Sequence, residues 1–172
     1  MRKIILSGYM GSGKTTVGRL LGLETDVKTL DLDEIIEKNV GISIPETFAS
    51  KGEIYFRKLE HEALKSLLDS YENFILSLGG GTPCYAGNDQ LLKNSDATWI
   101  YLKANPETLY QRLTADPGKR PLLEGKTPEE MKEYIAKNLF DRSYYYNQAD
   151  VKIATDGKSP EEVVREIQKM LA

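Results

Sequence analysis

Residues 8–15 read Gly8-Tyr9-Met10-Gly11-Ser12-Gly13-Lys14-Thr15, a complete Gly-x-x-x-x-Gly-Lys-Thr pattern between an apolar run, Ile4-Ile5-Leu6, and a helical pattern. A strand that enters such a loop and leaves it as a helix turns several backbone N–H groups inward. They form an anion nest at a helix N-terminus whose dipole favours phosphate. A merely tight turn would not also need Lys-Thr. The expectation is a nucleoside-triphosphate site built from Gly11, Ser12, Gly13, Lys14, Thr15 and Thr16. In it Lys14 reaches the β and γ oxygens and Thr15 offers its hydroxyl to magnesium.

Downstream, strand-length apolar runs alternate with helical periodicity. Strands are expected over Lys3–Ser7, Val27–Leu30, Phe74–Leu78, Thr98–Leu102 and Val151–Ala154. Helical spacing fills Lys14–Leu23, Glu34–Ser70, Asp89–Lys93, Pro106–Ala115, Thr127–Tyr146 and Pro160–Leu171, with Pro106 and Pro160 suited to first helical turns. This alternation predicts a doubly wound α/β fold around a five-stranded parallel sheet. Ligands of such sheets gather beyond the carboxyl ends of the strands, where every motif discussed below falls.

The 172 residues are one domain's worth, enough to bury a core without disulfides or structural metals. Cys84 is the single cysteine and His61 the single histidine, so neither an internal bridge nor a four-ligand zinc site can form. A reducing compartment is implied. The net charge of −3 is interspersed, which argues against a nucleic-acid or membrane surface. No apolar stretch approaches the roughly 18 residues of a membrane span, and the first strand begins too early for a cleaved signal. The expected location is cytoplasmic.

Several constellations could complete a site. Leu30-Asp31-Leu32-Asp33 follows the second strand and, if extended, turns both carboxylates to one side. Phe74-Ile75-Leu76-Ser77-Leu78-Gly79 carries no acid, so Asp31 is the candidate for the magnesium side. Asp33 is then free to orient or deprotonate an attacking hydroxyl. Either acid could instead cap the helix that follows. Gly79-Gly80-Gly81 leaves main-chain donors open to a small polar ligand, or is a plain crossover turn. Arg57 and Arg142 suit a carboxylate fork, or are surface ion-pair partners. Residues 116–126, dense in Pro, Gly and cations, read as a lid or as an ordinary connection.

In order and spacing, the phosphate loop, Asp31-Leu32-Asp33, Phe56-Arg57, Ser77-Leu78-Gly79-Gly80-Gly81, Arg120-Pro121-Leu122-Leu123 and Arg142 through Asp150 closely resemble the shikimate kinase family. The likeness runs from the first strand to the last helix. It implies a P-loop NTPase fold of the nucleoside-monophosphate-kinase type, three-layered α/β/α, with residues 1–172 as one kinase domain. Within it, residues 32–60 would be a substrate-binding insertion and residues 112–126 a mobile lid. The implied reaction is transfer of the γ-phosphoryl group of ATP to the 3-hydroxyl of shikimate, on the route to chorismate and the aromatic amino acids.

By the same resemblance, Asp33 contacts the ring hydroxyls and serves as base. Arg57 and Arg142 hold the substrate carboxylate, and the backbone of Gly79, Gly80 and Gly81 completes that pocket. Arg120 comes down on the phosphates, Arg112 lies against the adenine, and Asp31 acts on Mg2+ through water. Lys158 stands at an adenine-loop position where members often carry an arginine, and a lysine stacks less well on a base. Tyr144 stands where proline is common. A monomer acting on shikimate and ATP is expected. The competing readings are a gluconate or nucleoside-monophosphate kinase of the same fold, and a nucleotide-dependent switch. The chain has no Asn-Lys-x-Asp guanine motif.

Overall fold

Alternation along the strands assigns the two faces of the sheet. In a computed structural model that describes residues 2–115 and 124–172, Ile4 and Leu6 of β1 (Lys3–Ser7) join one apolar cluster and Ile5 joins the other. The remaining strands are β2 (Thr29–Asp31), β3 (Phe74–Ser77), β4 (Thr98–Lys103) and β5 (Val151–Ala154). All neighbours run parallel, in the order β2-β3-β1-β4-β5. The central strand β1 is buried along its whole length, as a strand covered on both faces must be.

On one face lie α1 (Lys14–Thr25) and α8 (Pro160–Leu171), which contribute Val17, Leu21, Val163, Val164 and Ile167. The other face is covered by α4 (Glu53–Asp69), α5 (Asn88–Lys93), α6 (Pro106–Ala115) and α7 (Pro128–Tyr146) through Leu64, Leu92, Leu109 and Ile135. Two shorter helices, α2 (Leu32–Val40) and α3 (Ile44–Lys51), pack beside α4. The neighbouring strands β1 and β3 thus send their chains to opposite faces, α1 to one and α5 to the other. That divergence opens a crevice at their carboxyl ends.

The second strand is displaced from the expected Val27–Leu30. Helix α1 continues to Thr25 and closes with Asp26 in the left-handed region, after which the Val27 N–H returns to Gly22 O at 3.2 Å. Val27 is therefore spent on ending the helix. A Cβ on Gly22 would lie 2.4 Å from Thr29 Cγ2, so only glycine admits this close passage of helix over strand. At its other end β2 stops at Asp31, whose carboxylate accepts from Glu34 N–H at 3.2 Å as the cap of α2. Burial of Leu32 and Ile36, worth about 1.5–3 kcal/mol each, holds that helix to the core.

The carboxyl end of α7 is tied to the sheet just beyond the helix. Trp99 N–H donates to Asp150 Oδ2 at 2.8 Å, and the Trp99 indole N–H donates to Ser7 Oγ at 2.7 Å. Helix α7 runs unbroken through Tyr144 to Tyr146.

Candidate active site

Helix α1 starts differently from the others that face the crevice or its rim. Helices α2, α3, α7 and α8 each have a side-chain cap and an acidic residue in the first turn, whereas α1 has neither. Its cap is Gly13 at φ 95°, and the first-turn N–H groups keep their donors and dipole for an anion. Lys14 Nζ lies back on the loop, donating to Gly8 O at 2.5 Å and Tyr9 O at 3.1 Å.

A cavity of about 510 Å³ opens over this helix end. Of the residues singled out from the sequence, Gly11, Ser12, Gly13, Lys14, Thr15, Thr16, Asp31, Asp33, Gly79, Gly80, Arg112 and Lys158 all line it. Gly81 is not among its lining residues, and Arg57 and Arg142 lie against Gly81 and Gly80 of the glycine turn. Arg120 and most of the expected lid, residues 116–123, lie outside the described residues, while 112–115 complete α6.

Each of the three glycines backs onto one of the expected substrate side chains. A Cβ on Gly79 would lie 3.0 Å from Asp33 Oδ1, one on Gly80 3.1 Å from Arg142 Nη1, and one on Gly81 2.9 Å from Arg57 Nη2. The turn is bare because a carboxylate and two guanidiniums occupy the space its side chains would need. Gly81→Ala is accordingly expected to push Arg57 aside and raise KM for the acceptor on the order of tenfold while leaving KM for ATP within about twofold. Steady-state kinetics in both substrates would show it, and an unchanged acceptor KM would mean that Arg57 can give way without consequence.

The two acids meet by a different route from the one expected. They do not alternate along one strand: Asp31 ends β2 and caps α2, and Asp33 sits in that helix's first turn. Capping, the alternative open for either residue, is thus what Asp31 does in addition to facing the cavity. Burial, then the charges of Asp31 and Glu60, push the Asp33 carboxyl up to about 6, with Lys14 opposing them. A half-buried acid near that value can accept a proton close to neutral pH.

Arg57 is an ion-pair partner, and a half-buried one. Its Nη1 lies 3.0 Å from Glu60 Oε1, its Nε 3.6 Å from Glu53 Oε1, and its guanidinium stacks 3.9 Å from the Tyr85 ring centre. Glu60, 1% exposed, also accepts from Thr82 Oγ1 at 2.8 Å, which locks α4 to the end of the glycine turn. Arg112 bridges two loops, from Nη2 to Thr155 O at 3.0 Å and from Nη1 to Thr155 Oγ1 at 3.1 Å and Gly11 O at 3.3 Å. Lys158 Nζ is drawn to Glu166 Oε2 at 2.7 Å. Its ammonium therefore faces α8 while its stem lines the cavity.

Residues that the sequence reading did not single out prove to hold the site together: Glu60, Thr82, Thr155 and Tyr146. Glu60 and Tyr146 left a signal, since they stand three residues after Arg57 and four after Arg142, each on one helical face with its arginine. Among the described residues no cluster of three or more His, Cys, Asp or Glu is gathered as a metal cage. Thr15 and Asp31 share the cavity wall, a sparse oxygen set that suits a cation keeping most of its water and phosphate ligands.

The family model described as "Shikimate kinase" matches residues 10–172. The chain belongs to the shikimate kinase family. A curated shikimate kinase of Flavobacterium johnsoniae is 54% identical over 172 residues, covering 100% of both chains. Among solved structures, shikimate kinase from Bacteroides thetaiotaomicron superposes with a TM-score of 0.91 at 33% identity, covering 99% of this chain and 98% of that one. The shikimate kinase from Acinetobacter baumannii in complex with shikimate gives a TM-score of 0.85 at 32% identity, covering 99% and 93%. Membership makes the chain an ATP-dependent kinase of the P-loop α/β type. Among the described residues no helix is long and apolar enough to cross a membrane.

Proposed function

We propose that the chain transfers the γ-phosphoryl group of ATP to the 3-hydroxyl of shikimate, giving shikimate 3-phosphate and ADP. One observation carries this reading beyond the family: Asp33, Arg142 and Arg57 each pack on a successive residue of the Gly79-Gly80-Gly81 turn, beside the triphosphate cradle. A hydroxyl acceptor, two carboxylate forks and exposed main-chain donors match a small hydroxylated acid.

In this reading Asp33 accepts the proton of the attacking hydroxyl, and its raised affinity for protons suits that task. Arg57 and Arg142 bind the carboxylate and fix the ring, with Gly79, Gly80 and Gly81 closing the pocket from below. Lys14 leaves the carbonyls of Gly8 and Tyr9 to follow the phosphates, and the open N–H groups of α1 bind them. Thr15 and, through water, Asp31 would hold Mg2+. The ion would supply charge neutralisation between the β and γ oxygens. Arg112 and the stem of Lys158 line the adenine end, and Arg120, on a lid spanning residues 112–126, closes over the phosphates and excludes water.

The same reading takes residues 1–172 as one kinase domain with residues 32–60 as its acceptor-binding insertion. It also takes the chain to act as a cytoplasmic monomer without nucleic-acid or membrane partners. A coupled assay of ADP release with shikimate, gluconate, AMP and CMP tests it. Turnover on shikimate well above the others is expected, and preference for any other acceptor overturns the assignment. Arg57→Ala and Arg142→Ala should each weaken shikimate binding by about 2–5 kcal/mol in calorimetric titration. An unchanged affinity would remove that arginine from the acceptor site.

A further inference from the structure

We propose that Tyr146 is a positioning residue of the acceptor site: its hydroxyl, bonded to the Gly80 carbonyl beside the Arg142 guanidinium, fixes how Arg142 meets the acceptor's carboxylate. The inference rests on the function proposed above. Tyr146 follows Arg142 by one helical turn on α7, so the two side chains share a face. The phenol is 0% exposed and donates to Gly80 O, and a Cβ on that same Gly80 would lie 3.1 Å from Arg142 Nη1, so both side chains meet one residue. Its ring packs on Tyr101 of β4 with centres 5.0 Å apart, and the Asp150 bond to Trp99 pins the chain just beyond it. The hydroxyl therefore has a fixed origin.

Arg142 needs such a partner more than Arg57 does. Arg57 is held by the buried Glu60, whereas among the described residues no ion pair to a carboxylate holds Arg142. What surrounds its guanidinium is neutral: the Tyr146 hydroxyl, the Tyr9 ring 5.5 Å away, and the bare Cα of Gly80. Because a long side chain keeps much of its rotamer freedom without a polar anchor, the phenol decides its pose. Neutral partners also leave the full charge of Arg142 for an incoming carboxylate. Burial pushes the Tyr146 phenol far above its ordinary range, so it remains a donor to Gly80 at every working pH.

Tyr146→Phe keeps the ring and removes only the hydroxyl. It is expected to raise KM for shikimate on the order of tenfold, with kcat and KM for ATP within about twofold. In an Arg142→Ala background the same change should add less than about twofold. Three outcomes overturn the proposal. One is an unchanged KM for shikimate. Another is an equal loss in the Arg142→Ala background, which would mean that the hydroxyl acts elsewhere. The third is a Tyr146→Phe chain that melts far lower or fails to fold, which would make the hydroxyl purely structural. If the unaltered chain does not phosphorylate shikimate at all, the functional reading has failed and not the role of Tyr146.

Discussion

Asp33→Asn is expected to lower kcat on shikimate by about 10²–10⁴-fold, the range for removal of a general base, while ATP affinity changes little. The carboxamide fills the same space against Gly79 but accepts no proton. In the unaltered chain kcat/KM should fall as pH drops through about 6, where Asp33 protonates in the free enzyme. The same residue should show the opposite sign in stability. Its folded-state value is raised from 3.8 to about 6, so its favourable contribution is complete below pH 3.8 and lost as pH rises through 6. At neutral pH the buried carboxylate costs the fold up to about 3 kcal/mol, from two units at about 1.4 kcal/mol each. Asp33→Asn should therefore melt a few degrees higher than the parent at pH 7.5, with the gap closing toward pH 4. A variant that loses turnover and ATP affinity equally, or melts lower at pH 7.5, would contradict this account.

Lys14→Ala is expected to reduce turnover on the order of 10³-fold or more, because the function proposed above sets its ammonium beside the transferring group. Its present contacts with Gly8 O and Tyr9 O also hold the loop shut around the start of α1. ATP binding should weaken as well, measured by titration calorimetry, but by less than turnover, since charge on the phosphoryl oxygens grows toward the transition state. Circular dichroism should stay that of the parent, because the apolar cluster under α1 is built from Val17 and Leu21 with residues of β1, β3, β4, β5 and α8, and Lys14 is not part of it. Turnover within tenfold of the parent would exclude the role given to Lys14.

The relation of Arg57 to Glu60 shows how far sequence reading reaches. The spacing of three on a helix was visible, and so was the choice between substrate fork and ion pair. Burial unites the two: Glu60, 1% exposed, is met by the Arg57 guanidinium on one oxygen and by the Thr82 hydroxyl on the other. Thr82 is 22 residues away in the chain. Asp31 and Asp33 illustrate the same limit. Their convergence was legible, but the means was not, because whether a chain stays extended after Leu30 depends on how Asp31 caps α2 and how Leu32 buries against the core.

The sequence by itself determined the phosphate loop, the five strands to within two residues, six helical stretches and the family motifs, since these rest on local spacing and on backbone chemistry within a few residues. Only the tertiary structure decided that three neighbouring glycines face three charged side chains, that Arg112 joins two loops, and that Tyr146 and Arg142 both meet Gly80. Those contacts join residues as many as 101 positions apart, and the parallel crossovers that bring them together leave no periodic trace in the chain.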